Sequence, residues 1–288
     1  MYPSKFRYEC PTSLEEAISL LKTYGSDAKV LAGGQSLIPM VKLRFATPEV
    51  LVDINNLPRL NGFSVGSDGG AQIGSLVRHR DLERNTTLAS KNAPMAATAG
   101  LIADPIVRTR GTLVGSLCHA DPQGDWSSCM TALNAVVVAQ GPSGERTIPV
   151  NQFVLGPFEN ALASDEIAIM CRVPSPKGDL TGGYLKLERR IGDFATAGVA
   201  LALESSGGRI TRAGMALTGV GSKTIECTAA MNYLKGKALD TATIDEAARL
   251  AADAAEPRSD HRGSADFKRH IIAVFVTRLL DREMANAA

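Results

Sequence analysis

The chain of 288 residues is 44% hydrophobic and 21% charged, and its 31 Lys and Arg nearly cancel its 30 Asp and Glu. That length allows a sizeable buried core in one large domain or two to three small ones, and a formal charge of +1 without a long basic run argues against nucleic acid or an anionic membrane as partner. Met1 to Cys10 lacks the basic-then-apolar layout of a secretory signal and no apolar run is long enough to span a bilayer, so the expected compartment is the cytoplasm, with no integral membrane segment and any membrane association made through a complex.

Read in chain order, Ser13 is an N-cap, Glu16 completes a capping box, and Leu14, Ala17, Ile18 and Leu21 line one face of a helix that Gly25 ends. Lys29-Val30-Leu31 then reads as a strand entering Ala32-Gly33-Gly34-Gln35-Ser36, and Leu51 to Ile54 closes a β-α-β-like unit. Ala93 to Ile102 and Trp126 to Leu133 read as helices. Val136-Val137-Val138, a Gly141 to Gly144 turn and Glu166 to Val173 read as antiparallel strands. The Pro174-Ser175-Pro176-Lys177-Gly178 stretch marks a boundary. Beyond it, strands are expected at Tyr184 to Arg189, Ala197 to Glu204 and Arg209 to Val220, with a Ser205 to Gly208 hairpin turn, followed by helices at Cys227 to Leu234, Ile244 to Ala255 and Asp266 to Met284. The expected class is α+β in three parts: residues 1–57, residues 58–177, and residues 178–288 with three strands and helices.

Two glycine-bearing loops carry the candidate chemistry, Leu31 to Leu37 and Gly111 to Ser116. Glycines let the main chain approach a ligand and aim successive N–H groups at it, and Ser36, Thr112 and Ser116 add hydroxyl donors, a combination that suits a pyrophosphate. Either loop alone reads more readily as a tight turn. No G-x-x-x-x-G-K-[ST] or G-x-G-x-x-G run occurs, and Gly219 to Lys223 reads as a strand end. No nucleophile elbow exists, and His79, His119, His261 and His270 are isolated in sequence. Five scattered cysteines without a C-x-x-C argue against a zinc ribbon or a cysteine-ligated cluster within the chain.

Taken together and in order, Ala32-Gly33-Gly34-Gln35-Ser36-Leu37-Ile38-Pro39, then Arg110 to Ser116 with Asp121-Pro122 and Asp125, then Arg190-Ile191-Gly192-Asp193-Phe194-Ala195, resemble the medium, FAD-binding subunit of molybdenum-containing hydroxylases. This is the carbon monoxide dehydrogenase, quinoline oxidoreductase and nicotine dehydrogenase group of the xanthine dehydrogenase family. The resemblance runs from Phe6 to Ser264. It implies a vanillyl-alcohol-oxidase-like (PCMH-like) FAD-binding fold, with the diphosphate held by Ala32, Gly33, Gly34, Gln35, Ser36 and Leu37 and by Thr112, Leu113, Val114, Gly115 and Ser116. It also implies Asp125 at the ribityl hydroxyls, Ile102 and Ala168 as apolar neighbours, Lys186 near the flavin pyrimidine edge and Phe194 against the isoalloxazine. From the residues alone, Lys186 reads as a snorkelling strand lysine and Phe194 as a core ring.

By the same resemblance, a large subunit oxidises CO or an N-heteroaromatic such as quinoline or nicotine at a molybdopterin cofactor. A small subunit with two [2Fe–2S] clusters relays the electrons, and this chain's FAD passes them to an external acceptor, in a dimer of heterotrimers. Val114 stands where relatives carry glycine, and Phe194 where several carry tyrosine. A valine excluded from positive φ would reshape the second loop, which keeps open a nucleotide-binding or scaffolding subunit with a degenerate flavin site. A stand-alone flavin oxidase is disfavoured, since no covalent-attachment motif or substrate base is visible.

Overall fold

The computed structural model describes residues 2–287. Three parallel strands, β1 (Arg7–Glu9), β2 (Ala28–Leu31) and β3 (Val50–Asp53), form a first sheet in the order β1-β3-β2. Between β1 and β2 runs the helix Leu14–Tyr24, whose first turn is capped by Ser13 accepting from the Glu16 amide at 3.1 Å and whose end is turned by Gly25 at φ +54. The Glu16 carboxylate reaches one residue further back than a capping box requires, to the Thr12 amide at 2.7 Å. Ala17, Ile18 and Leu21 bury the inner face of this helix against Val50, Val52 and Ile54.

β4 (Phe63–Val65), β5 (Ala71–Gly74), β6 (Val136–Gly141) and β7 (Gly144–Pro149) belong to a second sheet; the ribbon of β8 (Val154–Gly156) and β9 (Glu159–Asn160) leads to β10 (Ile167–Val173), its central strand. The order β4-β5-β10-β6-β7 is antiparallel throughout. The apolar runs at β6 and β10 signal their burial, whereas β4 and β5 are three and four residues long and flanked by glycines, too short for periodicity to register. The helices Ala93–Ala99, Leu113–His119 and Asp125–Ala132 close a core around Trp126, Met130, Leu117 and Phe153.

The third sheet holds the three expected strands, β11 (Asp179–Leu187), β12 (Ala197–Ser206) and β13 (Arg209–Thr218), with the two-residue β14 (Ile225–Glu226) added at the β13 edge. Gly207 and Gly208, at φ +57 and +73, make the tight β12–β13 turn that right-twisted strands favour. Side-chain alternation in β12 divides its burial between two cores. Val199, Leu201 and Leu203 pack with the helices Thr241–Ala254 and Ala265–Ala287, while Ala200, Ala202 and Tyr184 of β11 join the core of the second sheet.

The contact between second and third sheets is close. A Cβ on Gly214 would lie 1.9 Å from the Ala132 carbonyl oxygen, which also accepts from both terminal nitrogens of Arg212. The helix Asp125–Ala132 is thereby fixed over the third sheet, with Asp125 at the level of Tyr184 and Lys186. Among the described residues, no helix is long and apolar enough to cross a membrane, and no group of three or more His, Cys, Asp or Glu could hold a metal ion.

Candidate functional site

β2 delivers the chain into Ala32-Gly33-Gly34-Gln35-Ser36 before the helix Leu37–Leu43 begins. Gly34 takes φ +73, which a side chain would strain. At Gly33 the constraint is a neighbour: a Cβ there would sit 2.4 Å from the Arg110 carbonyl oxygen and 2.8 Å from the Gly111 Cα. The two glycine-bearing loops, far apart in sequence, are therefore in van der Waals contact. Among the described residues the amides of Gly33, Gly34, Gln35 and Ser36 donate to no protein acceptor, so four successive N–H groups remain free.

The second loop differs in kind from its expected form. Thr112 is extended, at φ −125 and ψ 149, and caps the helix Leu113–His119 by accepting from the Gly115 amide at 3.0 Å. That uses a lone pair of the hydroxyl and leaves its proton free to donate. Val114 lies inside the first helical turn with its side chain buried, and it is not among the residues of positive φ. Valine is thus accommodated here without left-handed strain, inside a regular helical turn. The Leu113 side chain is wholly buried in the core and does not line the cavity described below, so any contact with a ligand there falls to its main chain.

Both loops open on one cavity of about 750 Å³, toward the upper end of the range of roughly 300–1,000 Å³ in which ligand pockets fall. Its wall includes Ala32, Gly33, Gly34, Gln35, Ser36, Leu37, Ile102, Thr112, Val114, Gly115, Ser116, Asp125, Ala168 and Phe194, so fourteen of the sixteen sequence-derived candidates meet there. Lys186 is the other residue outside the wall. Its ammonium, on a side chain only 1% exposed, lies 3.3 Å from Asp125 Oδ2 and 3.1 Å from Glu188 Oε2, and donates to the Asp193 carbonyl at 3.0 Å. A lysine so enclosed presents little free positive charge and instead holds Asp125 and the Asp193 segment in place.

Asp125 is a buried acid of the wall. Burial pushes its carboxyl above the ordinary aspartate range, against the pull of Lys186 and of Tyr184, whose hydroxyl donates to Oδ1 at 2.6 Å. The Tyr184 phenol is itself pushed well up by burial and by the adjoining carboxylate. Gly192, at φ +90, packs against the Ala103 carbonyl carbon and the Asp104 amide and turns Asp193 and Phe194 toward the cavity. Phe194 is half exposed there, and Arg262 Nη1 donates to its carbonyl at 2.8 Å.

Sequence reasoning missed His79, Asp104, Val107, His119 and the Phe158 to Asn160 ribbon, all on the same wall. His79 accepts on Nδ1 from Trp126 Nε1 at 3.1 Å, which leaves the proton of the neutral ring on Nε2. Burial, then the charges of Arg108 and Arg78, lower its pKa to about 3. No spacing rule marks a histidine whose partners are a distant indole and a glycine; Gly111 packs against its ring edge.

The arrangement is a long cavity with main-chain donors over one stretch, a buried carboxylate along another and apolar side chains elsewhere. A family model described as the FAD binding domain in molybdopterin dehydrogenase matches residues 4–176, and one described as the CO dehydrogenase flavoprotein C-terminal domain matches residues 183–282. The carbon monoxide dehydrogenase medium chain of Hydrogenophaga pseudoflava is 39% identical over 100% of both chains. The glyceraldehyde dehydrogenase medium chain of Sulfolobus acidocaldarius is 37% identical over 95% of this chain and 96% of its own. Among solved structures, the carbon monoxide dehydrogenase of Hydrogenophaga pseudoflava lacking the Mo-pyranopterin moiety of its molybdenum cofactor superposes at a TM-score of 0.94, with 40% identity and 100% of both chains covered.

Proposed function

Because this chain belongs to the FAD-binding medium subunits of the carbon monoxide dehydrogenase and xanthine oxidase family, we propose that it holds FAD in the cavity between its two glycine-bearing loops and acts as the electron outlet of a molybdenum hydroxylase. The observation that carries the reading is the contact of Gly33 with Arg110 and Gly111, which brings the free amides of Gly33 to Ser36 and the Thr112-capped helix start to one place. A dinucleotide phosphate bridge fits such donors without a metal or a lysine. Bound FAD would supply a carrier that is stable in both one- and two-electron states.

In this reading Gly33, Gly34, Gln35 and Ser36 with Thr112 and Ser116 bind the diphosphate, Ile102 and Ala168 exclude water from the apolar part, and Phe194 covers the open end. Asp125 accepts hydrogen bonds from the cofactor's hydroxyls, held in orientation by Tyr184 and Lys186. Electrons come from the [2Fe–2S] clusters of a small partner subunit and leave to an external acceptor. A large molybdenum subunit oxidises CO or an N-heteroaromatic such as quinoline or nicotine, within a dimer of heterotrimers. Exposed Ile106 and Ile191, which adjoin the wall residues Val107 and Gly192 in sequence, together with half-exposed Phe194 on the wall, support docking of the iron–sulfur partner on this side. The helical conformation of Val114, free of positive-φ strain, is compatible with this reading.

The test is purification of the chain and absorbance spectroscopy. A yellow protein, or a colourless one restored by added FAD, is expected; a folded chain that takes up no FAD refutes the assignment. Co-expression with its molybdenum and iron–sulfur partners, followed by anaerobic addition of CO, quinoline or nicotine, tests the finer reading through bleaching of the flavin band.

A further inference from the structure

Two residues outside the cavity wall tie the two glycine-bearing loops to each other. Asn55, just past β3, donates from Nδ2 to the Ala32 carbonyl at 2.8 Å and accepts on Oδ1 from Arg78 Nη2 at 2.6 Å. The other terminal nitrogen of the same guanidinium, Nη1, donates to the Arg110 carbonyl at 2.7 Å. Asn55 is anchored in turn by Asp53, whose Oδ1 accepts from its amide at 2.8 Å and from its Nδ2 at 2.6 Å, and whose Oδ2 accepts from the Tyr8 hydroxyl. Beside this, the His79 amide donates to the Gly111 carbonyl at 2.9 Å.

The two carbonyls held this way are those that immediately precede Gly33 and Gly111. A carbonyl oxygen and the next residue's N–H point in opposite directions from one rigid peptide plane. Tethering the Ala32 oxygen therefore aims the Gly33 N–H the other way, as the first of the four free donors. Tethering the Arg110 oxygen fixes the peptide against which Gly33 packs. A planar fork reaches Asn55 Oδ1 and the Arg110 oxygen from two separate nitrogens at a fixed angle; an ammonium must reach both from one nitrogen and does not fix that spacing.

We propose that Arg78 is a positioning residue for cofactor binding, the latch that joins the first loop, through Asn55, to the second loop and sets the spacing between their donors. The proposal rests on the reading that this cavity takes FAD. Arg78 does not line the cavity and acts through the loops.

The test uses the full chain freed of flavin, with Arg78→Ala, Arg78→Lys, Asn55→Ala and the double variant Arg78→Ala with Asn55→Ala. FAD affinity is read by quenching of flavin fluorescence, loop geometry by the visible circular dichroism of the bound flavin, and folding by thermal unfolding of the flavin-free chain. Arg78→Ala should weaken FAD binding about tenfold or more, the effect of losing a charge-assisted hydrogen bond, and should alter the flavin dichroism while flavin-free unfolding shifts little. Arg78→Lys should not restore affinity, and the double variant should lose less than the product of the single losses. If Arg78→Ala fails to fold, Arg78→Lys decides alone, with weakened binding supporting the latch. Wild-type affinity and dichroism in a folded Arg78→Ala or Arg78→Lys chain, or a fully multiplicative double variant, overturns it. Failure of the wild-type chain itself to bind FAD overturns the flavin reading and the latch with it, an outcome distinct from loss of the latch alone.

Discussion

Gly33→Ala is the smallest perturbation that separates a cradle made of two touching loops from two independent turns. The added methyl would sit 2.4 Å from the Arg110 oxygen and 2.8 Å from the Gly111 Cα, both main-chain atoms, so the loops must part by about 0.6 Å before the nearer contact reaches 3.0 Å. Overpacking of this kind costs about 1–3 kcal/mol. If the loops stay together, the cost appears in the stability of the flavin-free chain. If they part, it reappears on binding, when FAD must draw them back, and each 1.4 kcal/mol weakens affinity about tenfold.

Gly34→Ala is the control. There the methyl meets the side chains of Ile38 and Leu31 at 3.2 Å, and the strain comes from φ +73, about 1–2 kcal/mol borne by folding whether or not FAD is bound. Titration of each flavin-free chain with FAD, followed by fluorescence quenching and paired with thermal unfolding, should show Gly33→Ala losing about ten- to a hundredfold in affinity and Gly34→Ala only a few-fold. Equal affinities for Gly33→Ala and wild type, in a chain whose unfolding is also unchanged, would refute the argument.

Lys186→Met should destabilise the chain by about 3–5 kcal/mol, because it strands two carboxylates, Asp125 and Glu188, that face the same enclosed ammonium. Burial already raises Asp125, and losing Lys186 raises it further. The folded variant thus keeps a proton that the unfolded chain releases, and its deficit should grow as pH rises through and above the ordinary carboxylate range; urea midpoints at pH 5 and pH 8 that give the same deficit count against this. His79→Asn should flatten the acid limb of stability. The wild-type ring stays neutral down to about pH 3 while the unfolded ring protonates near 6.5, so stability present above 6.5 is lost as pH falls, by about 2.7 kcal/mol at pH 4.5; an unaltered difference between wild type and variant at pH 7 and pH 4.5 would contradict it. Val114→Gly should cost about 2–4 kcal/mol through lost burial and helix propensity and leave FAD affinity unchanged. A gain in affinity would revive the idea that valine deforms the second loop.

Local signals made much of the fold legible. Ser13 and Gly25 bracket a helix because each satisfies end groups by chemistry that the sequence states outright, and Gly207-Gly208 between two alternating runs specifies a hairpin. The helix at Leu113–His119 was hidden because it is a short run with Gly115 in its first turn, which depresses helical propensity. Its signature was Thr112, a capping residue whose oxygen the Gly115 amide needs. The enclosure of Lys186 was not legible: Tyr184 and Lys186 are two apart on one strand and share a face, but only the structure shows that this face is buried, with Tyr184 against Asp125. The contact of Gly33 with Arg110, the latch through Arg78 and the place of His79 have no local signature, since each joins segments that only the packing of whole sheets brings together.

The third sheet belongs to the site as much as the two loops do. Asp125 heads a helix of the second unit, yet the groups that orient its carboxylate, Tyr184 and Lys186, stand on β11. Phe194 and Asp193 enter the wall from the segment that follows β11, and Arg262 near the C-terminal helix holds the Phe194 carbonyl. The small residues on one face of β12 and at Gly214 allow this, because Ala200, Ala202 and Gly214 let the second sheet's helices approach where larger side chains would hold them away. In the proposed reading the donor cradle around Gly33 and Thr112 binds the diphosphate, whereas the groups that orient the enclosed acid, and the aromatic cover, come from the third sheet and the segment after β11. Under the proposed function, affinity and the electronic environment of a bound flavin would be set by different parts of the chain, and a substitution in β11 would change the second through Asp125 without touching the loops that govern the first.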